Sequence, residues 1–141
     1  MLGKSGSTIK YLVALSSTNL AVIGSTNASN FAGYEFATLF VLASSAPSAQ
    51  RYVVNVMRSG TSGGTFANFG ASVAVTAKNL RGLHVRSFSL DSSANWYKAS
   101  YDNNNTGSGT IAIMFGLDAG RVAPVDTQDA DVTLYSTVLG G

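Results

Sequence analysis

The sequence predicts an all-β protein: an antiparallel β-sandwich, jelly-roll or immunoglobulin-like, with extended N- and C-terminal arms. Three observations favour this fold. Helix signals are nearly absent, because the 141 residues include a single Glu, four Lys and two Pro, and no ten-residue stretch carries a clean helical apolar stripe. Apolar residues instead alternate with the period of two that is typical of a strand. Clusters of Gly, Asn, Asp and Ser separate the alternating runs at the spacing of an antiparallel all-β domain.

Five alternating runs predict strands. In chain order, the side chains expected to share one face of each strand are Ile9, Tyr11, Val13 and Leu15; Tyr34, Phe36, Thr38, Phe40 and Leu42; Tyr52, Val54 and Val56; Val73, Val75 and Ala77; and Ile111, Ile113, Phe115 and Leu117. The last run is the clearest, because its large side chains alternate with Ala112, Met114 and Gly116. Large side chains on one face and small ones on the other are typical of a strand pressed against a core.

Another run changes phase partway along its length. Leu83 and Val85 occupy one phase, whereas Phe88 and Leu90 occupy the other. An extra residue in a strand produces such a change. The sequence therefore predicts a β-bulge near residues 86–87.

Turn-forming clusters connect the runs. They lie at residues 59–64, 78–82, 91–93 and 102–109. Asn and Gly in the cluster at 102–109 tolerate the positive φ angles that a hairpin loop requires. The glycines of 59–64 predict a hairpin rather than a phosphate-binding loop, because a strand-like run follows them and no Gly-Lys-Ser/Thr is present.

The chain divides into residues 1–33, an N-terminal arm with short strands, residues 34–123, the sandwich core, and residues 124–141, a C-terminal arm. The end of the C-terminal arm is apolar, β-prone and uncharged, so as an exposed edge it would be an aggregation site. We expect a neighbouring subunit to cover it, although it could also complete the sandwich of its own chain. The candidate assembly-interface residues are Val132, Leu134, Tyr135, Val138 and Leu139.

Charge and hydropathy exclude several classes of protein. The net charge is +2, only 11% of residues are charged, and the nine Lys and Arg form no basic block, which disfavours nucleic acid as a partner. No apolar run approaches the 18 residues of a membrane span, so no membrane association is expected. Cys is absent, so no disulfide framework is possible.

The residues that carry chemistry are few, and the sequence predicts no enzyme, no cofactor and no metal site. His84 has Arg86 nearby, which is a poor neighbour for a base that must accept a proton. Glu35 is the single Glu, and nothing pairs it with an Asp as glycoside hydrolysis requires. Asp126, Asp129 and Asp131 form an acidic turn that lacks the Gly and distal Glu of an EF-hand calcium loop.

Trp96 is the candidate ligand-contacting aromatic residue. Tyr97 and Tyr101 are expected to share one face of their strand, and Trp96 takes the other. An exposed Trp could stack on a sugar ring, whereas the alternative is that it packs on a neighbouring side chain.

The middle of the chain resembles a known group of proteins. Residues 52–59 and 63–71 look like a strand, a tight turn and a short aromatic strand. They are followed in order by residues 85–101, a loop and residues 107–113. Over residues 36–117 this order is similar to small β-sandwich proteins of tailed-bacteriophage virions, particularly capsid decoration (cement) proteins. The ends of this chain are longer and more apolar.

The resemblance implies a structural protein on the exterior of a capsid that assembles in the host cytoplasm. Such a subunit would bind the major capsid protein, bridge capsomers and stabilise the head, and it would self-associate, with a homotrimer favoured. The resemblance transfers no functional residue. The alternative is a carbohydrate- or host-surface-binding module of a phage tail or an adhesin, in which Trp96 would contact the ligand.

Overall fold

Nine β-strands and no helix form the part of the chain that the structure describes. The structure, a computed structural model, describes residues 10–19, 24–45, 52–75, 82–91, 93–102 and 110–118. The strands are β1 (Lys10–Asn19), β2 (Gly24–Ser25), β3 (Ser29–Asn30), β4 (Phe36–Ser45), β5 (Tyr52–Ser59), β6 (Ala67–Val75), β7 (Gly82–Ser89), β8 (Trp96–Asp102) and β9 (Thr110–Asp118). Within these ranges no helix is long and apolar enough to cross a membrane.

The strands pair antiparallel in two sheets. The four-stranded sheet has the order β1-β9-β4-β7, and the five-stranded sheet has the order β2-β8-β5-β6, with β3 also beside β8. Thr26 joins β2 to β3. Its Oγ1 accepts the main-chain N–H of Ala99 at 3.0 Å, and its own N–H donates to the Ala99 carbonyl at 2.8 Å. β2 and β3 therefore act as one interrupted strand along the edge of β8.

With β2 and β3 counted together, the strand order is that of an eight-stranded jelly roll. The chain pairs with itself like one long hairpin that is then rolled up: β1 lies beside β9, β2 and β3 beside β8, β4 beside β7, and β5 beside β6. The glycine-rich hairpin predicted at 59–64 is confirmed and forms the tip of this long hairpin. The predicted sandwich is confirmed as well, and its strand order is the jelly roll.

The core consists of alternate residues from the facing sides of the two sheets. Its fully buried aliphatic side chains are Leu39, Val41, Val54, Val56, Ile111, Ile113 and Leu117. The predicted alternation of β5 and β9 is thereby confirmed. Tyr97 is buried and Tyr101 packs against the core, whereas Trp96 is on the opposite face of β8, as expected.

Aromatic rings fill one end of the core and connect the two sheets. Tyr97 of β8 stacks on Phe31, with ring centroids 4.9 Å apart and planes 10° apart. Phe69 of β6 meets Tyr97 edge-on at 5.7 Å. From the four-stranded sheet, Phe88 lies 6.5 Å from Tyr97, and Phe115 meets Phe31 edge-on at 5.1 Å. Offset and edge-on contacts of this kind add to the stabilisation from burial.

The bulge predicted near residues 86–87 is wrong. β7 pairs with β4 in continuous register along its whole length. Leu83 and Val85 are exposed, whereas Phe88 and Leu90 pack against the core. The change of phase therefore has a different cause, which is that β7 carries apolar residues on both of its faces.

A bulge is present instead in β6. Between the partners of Asn55 and Met57, β6 has two extra residues. Gly70 lies there with φ +87°, a conformation that favours glycine. The side-chain carbonyl of Asn68 accepts the N–H of Gly70 at 2.8 Å and so stabilises the bend. Phe69, inside the bulge, packs against the core.

Replacing Leu39 with Ala tests the assignment of the two faces of β4. Leu39 is 0% exposed, so Leu39→Ala should lower the free energy of unfolding by about 2–5 kcal/mol. Leu42→Ala on the same strand, where Leu42 is 50% exposed, is the matched control and should cost about 1 kcal/mol or less. Urea unfolding at one low protein concentration measures both, and equal losses would contradict the assignment.

Candidate assembly surface

The two outward sides of the sandwich differ in chemistry. On the five-stranded sheet, Asn55, Lys98 and Ser100 point away from the core, as expected for a sheet with one solvated side. On the four-stranded sheet, most outward positions are apolar. We call the continuous part of this second surface the apolar face, and its residues are Val13, Phe40, Leu42, Leu83, Val85, Ala112 and Met114.

Strand register arranges the apolar face in two continuous rows. The first row crosses all four strands and consists of Val13, Met114, Phe40 and Val85. The second row crosses three strands and consists of Ala112, Leu42 and Leu83. Side chains directly opposite each other on one face of a sheet lie about 5 Å apart and are in contact. The two rows therefore form one surface that contains no charged residue.

The apolar face is open to solvent in the isolated chain. Three of its side chains are about half exposed: Leu42 at 50%, Leu83 at 59% and Val85 at 53%. A shallow depression of about 240 Å³ is lined by Val13, Phe40, Leu42, Leu83, Ala112, Ile113 and Met114. Single exposed apolar side chains are ordinary, but a contiguous group of them marks a surface that binds another molecule.

A polar row borders the apolar face and separates it from Phe36. Thr38 of β4 lies opposite Ser87 of β7, and their hydroxyl oxygens are 3.0 Å apart in a hydrogen bond. The apolar rows thus have a defined limit on this side, as is typical of a binding patch with a polar rim.

The sequence contains a signal for the apolar face, in the two phases of β4. Phe36, Thr38, Phe40 and Leu42 share a face as predicted, but that face points outward, and Tyr34 precedes the strand. The core of β4 comes from the other phase. A strand with one solvated face alternates apolar with polar residues, so large apolar residues in both phases indicate that both faces are covered.

The predicted interface residues of the C-terminal arm lie outside the described part of the chain. They are Val132, Leu134, Tyr135, Val138 and Leu139. Their role in assembly stays a prediction.

Trp96 is partly exposed on the outer side of the five-stranded sheet. In register it lies opposite Asn30 of β3 and Ser59 of β5. Further along this surface the ammonium group of Lys98 lies 4.5 Å from the centroid of the Phe66 ring, a cation–π contact. The surroundings of Trp96 are therefore polar and partly open.

His84 is placed on the inward phase of β7, opposite Val41. Its Nε2 is buried, and no described residue forms a hydrogen bond with it. In the described ranges this atom therefore has neither a nucleophile nor an orienting carboxylate bonded to it, which a catalytic base needs. The same ranges contain no group of three or more His, Asp or Glu side chains placed to hold a metal ion.

A polar network holds the connection between β7 and β8 against the aromatic end of the core. Arg58 forms an ion pair with Asp91, and its guanidinium lies 5.1 Å from the centroid of the Phe69 ring. The Asp91 carboxylate also accepts the N–H and the hydroxyl of Ser93, at 2.9 and 2.8 Å. The main-chain N–H of Asp91 donates to the Tyr97 hydroxyl at 3.0 Å.

This network sets the protonation of its members. The hydrogen bonds from Ser93, followed by the charge of Arg58, lower the pKa of the Asp91 carboxyl. Burial raises the pKa of the Tyr97 hydroxyl. A cavity of about 260 Å³ lies beside the network, between residues 31–35 and residues 90–97. Since Arg58 and Ser93 already occupy the Asp91 carboxylate, the network serves to position the connection.

The lowered pKa of Asp91 predicts a loss of stability in acid. Charged Asp91 stabilises the fold above the ordinary Asp pKa of about 3.9, and this contribution disappears as the pH falls through the lowered pKa. The urea midpoint of the native chain should therefore decrease more steeply between about pH 5 and pH 2 than that of Asp91→Asn. Ser93→Ala should give an intermediate slope, and identical slopes for all three proteins would refute the network.

No protein-family model matches the sequence, and no curated protein matches it. Among solved structures, a chain in the structure of infectious bursal disease virus, Gx strain, is similar over 82% of this chain and 34% of that chain. The sequence identity is 10% and the TM-score is 0.43. This chain thus spans about a third of the length of the viral chain, and the similarity transfers no site residue to it.

Proposed function

We propose that this chain is a structural subunit of a virus particle, and more specifically a capsid decoration subunit without enzymatic activity. The observation that carries the proposal is the apolar face, where two uncharged rows of side chains lie on the outside of a sheet whose inner side is already filled by the core. A surface of this kind is suited to an assembly in which a neighbouring protein covers it.

The size of the apolar face suits a contact that is repeated many times. Its three half-exposed side chains leave roughly 300 Å² of apolar surface in water, at about 100 Å² each. Burying this surface contributes about 7–8 kcal/mol, which is within the range of about 4–15 kcal/mol that association costs. A single contact is therefore weak, whereas many copies on one particle act together through their high local concentration.

Two further features agree with this role. Residues 36–117 resemble small β-sandwich proteins of tailed-phage virions, and jelly rolls recur among viral capsid domains. The net charge of +2 is small for 141 residues, which suits contact with a protein shell better than contact with packaged DNA. Since one fold serves many functions, the apolar face supports the proposal more strongly than the fold does.

In this role the subunit binds the major capsid protein on the exterior of the shell and bridges adjacent capsomers. The C-terminal arm, with Leu134 and Tyr135, reaches a neighbouring subunit, and exchange of arms at three-fold positions forms a homotrimer. The function is mechanical, because capsomers linked from outside resist separation under internal pressure.

Binding to the particle tests the role directly. The chain is mixed with capsids, free of decoration protein, of the virus that encodes it and then sedimented. The full chain should co-sediment, and deletion of residues 132–141 should weaken binding by about tenfold or more, about 1.4 kcal/mol. Trp96→Ala is the control and should bind as the full chain does. If the full chain stays in the supernatant at every concentration, the decoration role is refuted.

A second candidate function follows from the partly exposed Trp96, since jelly rolls also recur in lectins. A carbohydrate-binding module should bind members of a glycan array, lose binding when Trp96 becomes Ala, and keep binding when residues 132–141 are deleted. Met57→Ala, a partly buried position on the same outer side, is the matched control. An array without signal for the full chain eliminates this alternative.

A further inference from the structure

The partner of the apolar face needs backbone N–H and C=O groups that are already hydrogen-bonded within the partner itself. β9 and β4 at the centre of this face are hydrogen-bonded to strands on both sides, so the face offers a partner only side chains. A single extended segment laid across it would leave its own N–H and C=O groups unpaired against apolar surface, which is costly. A second sheet has its backbone groups already paired and packs face to face about 10 Å away.

The absence of charge on the two rows permits contact with an identical copy. A two-fold contact places the same surface on both sides, so any charged group near the axis would meet a like charge. The central side chains, Phe40 and Leu42, are neutral and apolar, and their neighbours across the strands are Met114, Val85 and Leu83. Two copies of this face are therefore compatible at every position of the two rows.

The dimensions of the apolar face set the strength of such a contact. Four strands about 4.8 Å apart, and the roughly four residues of each strand that the two rows span, rising about 3.3 Å each, give a footprint of roughly 250 Å². Two such footprints bury about 500 Å², which is below the roughly 1,000 Å² of a stable protein interface. Contact between two copies is therefore weak and reversible, and many copies in a lattice strengthen it.

We propose that the apolar face packs against the apolar face of a second copy of this chain, in a two-fold sheet-on-sheet contact centred on Phe40 and Leu42. The inference rests on the proposed assembly role and names the partner of that surface. It is compatible with trimers formed by exchange of C-terminal arms, because the arms and the apolar face are different surfaces. On a particle, the two contacts together would link trimers into a network.

The test measures mass in solution by light scattering after size exclusion, over a hundredfold range of protein concentration. The full chain should move from 14.6 kDa toward higher mass as the concentration rises, and deletion of residues 132–141 should leave a dimer. Leu42→Lys and Leu42→Glu should each weaken the dimer by about tenfold or more, as charge is buried at the contact. An equal mixture of the two variants should restore association, because opposite charges then face each other.

Ala74→Lys is the matched control, since Ala74 is exposed on the outer side of the five-stranded sheet. It should dimerise as the full chain does, and circular dichroism should show that all variants are folded. Four results would overturn the inference: a full chain that is monomeric throughout, a dimer that tolerates Leu42→Lys, equal disruption by Ala74→Lys, or a monomer that dimerises only after residues 132–141 are removed. The last result would show that the chain's own arm covers the apolar face.

The same proteins separate this inference from the proposed function. A chain that dimerises through Leu42 but does not bind capsids keeps the inference and loses the decoration role. A chain that is monomeric but binds capsids, with binding abolished by Leu42→Lys, keeps the decoration role and loses the inference. The capsid protein is then the partner of the apolar face.

Discussion

Tyr97 connects parts of the molecule that the chain itself leaves far apart. It is 1% exposed, its ring stacks on Phe31 and meets Phe69 edge-on, and its hydroxyl accepts the main-chain N–H of Asp91. A buried hydroxyl costs stability unless it is hydrogen-bonded, so this bond lets a large ring occupy the core. Arg58 then holds Asp91 in place. One side chain thereby fixes the two sheets and the β7–β8 connection at one end of the sandwich.

The packing around Tyr97 fills one end of the space between the sheets. It places no requirement on the side chains that point outward, so these can differ in chemistry from one sheet to the other. On β5 the outward neighbours of the inward Val56 are Asn55 and Met57, so polar and apolar side chains are mixed on that side. On β4 the inward Val41 has Phe40 and Leu42 as its neighbours, both apolar and both outward. The core does not require apolar residues at these two positions. Their presence therefore reflects a requirement outside the described core, which is the physical reason to propose an assembly role for the apolar face.

The sequence is sufficient for most of the long strands, but not for the short β2 and β3 or for the arrangement of the strands. Alternation with a period of two is a local property, so it places Val54 and Val56 on one face of β5 without reference to a partner strand. Which strands pair depends on contacts between distant residues, as between Arg58 and Asp91, 33 residues apart. The error near residues 86–87 has the same origin, because a phase change in one strand fits a bulge or two apolar faces equally well. Only the partner strand decides between them.

The edges and the apolar face of the four-stranded sheet differ in how they direct association. β7 has a described neighbour on one side only, and open edges of this kind pair into indefinite stacks. Arg86, opposite Leu39 on the inward phase of β7, nevertheless remains exposed, and an inward-phase charge on an edge strand opposes pairing with another strand. Phe40 and Leu42, on the outward side of the sheet, have no charged residue beside them in the two rows that would oppose a contact. Association is therefore directed away from the edge, which would propagate without limit, and toward the face, where a two-fold contact closes on itself.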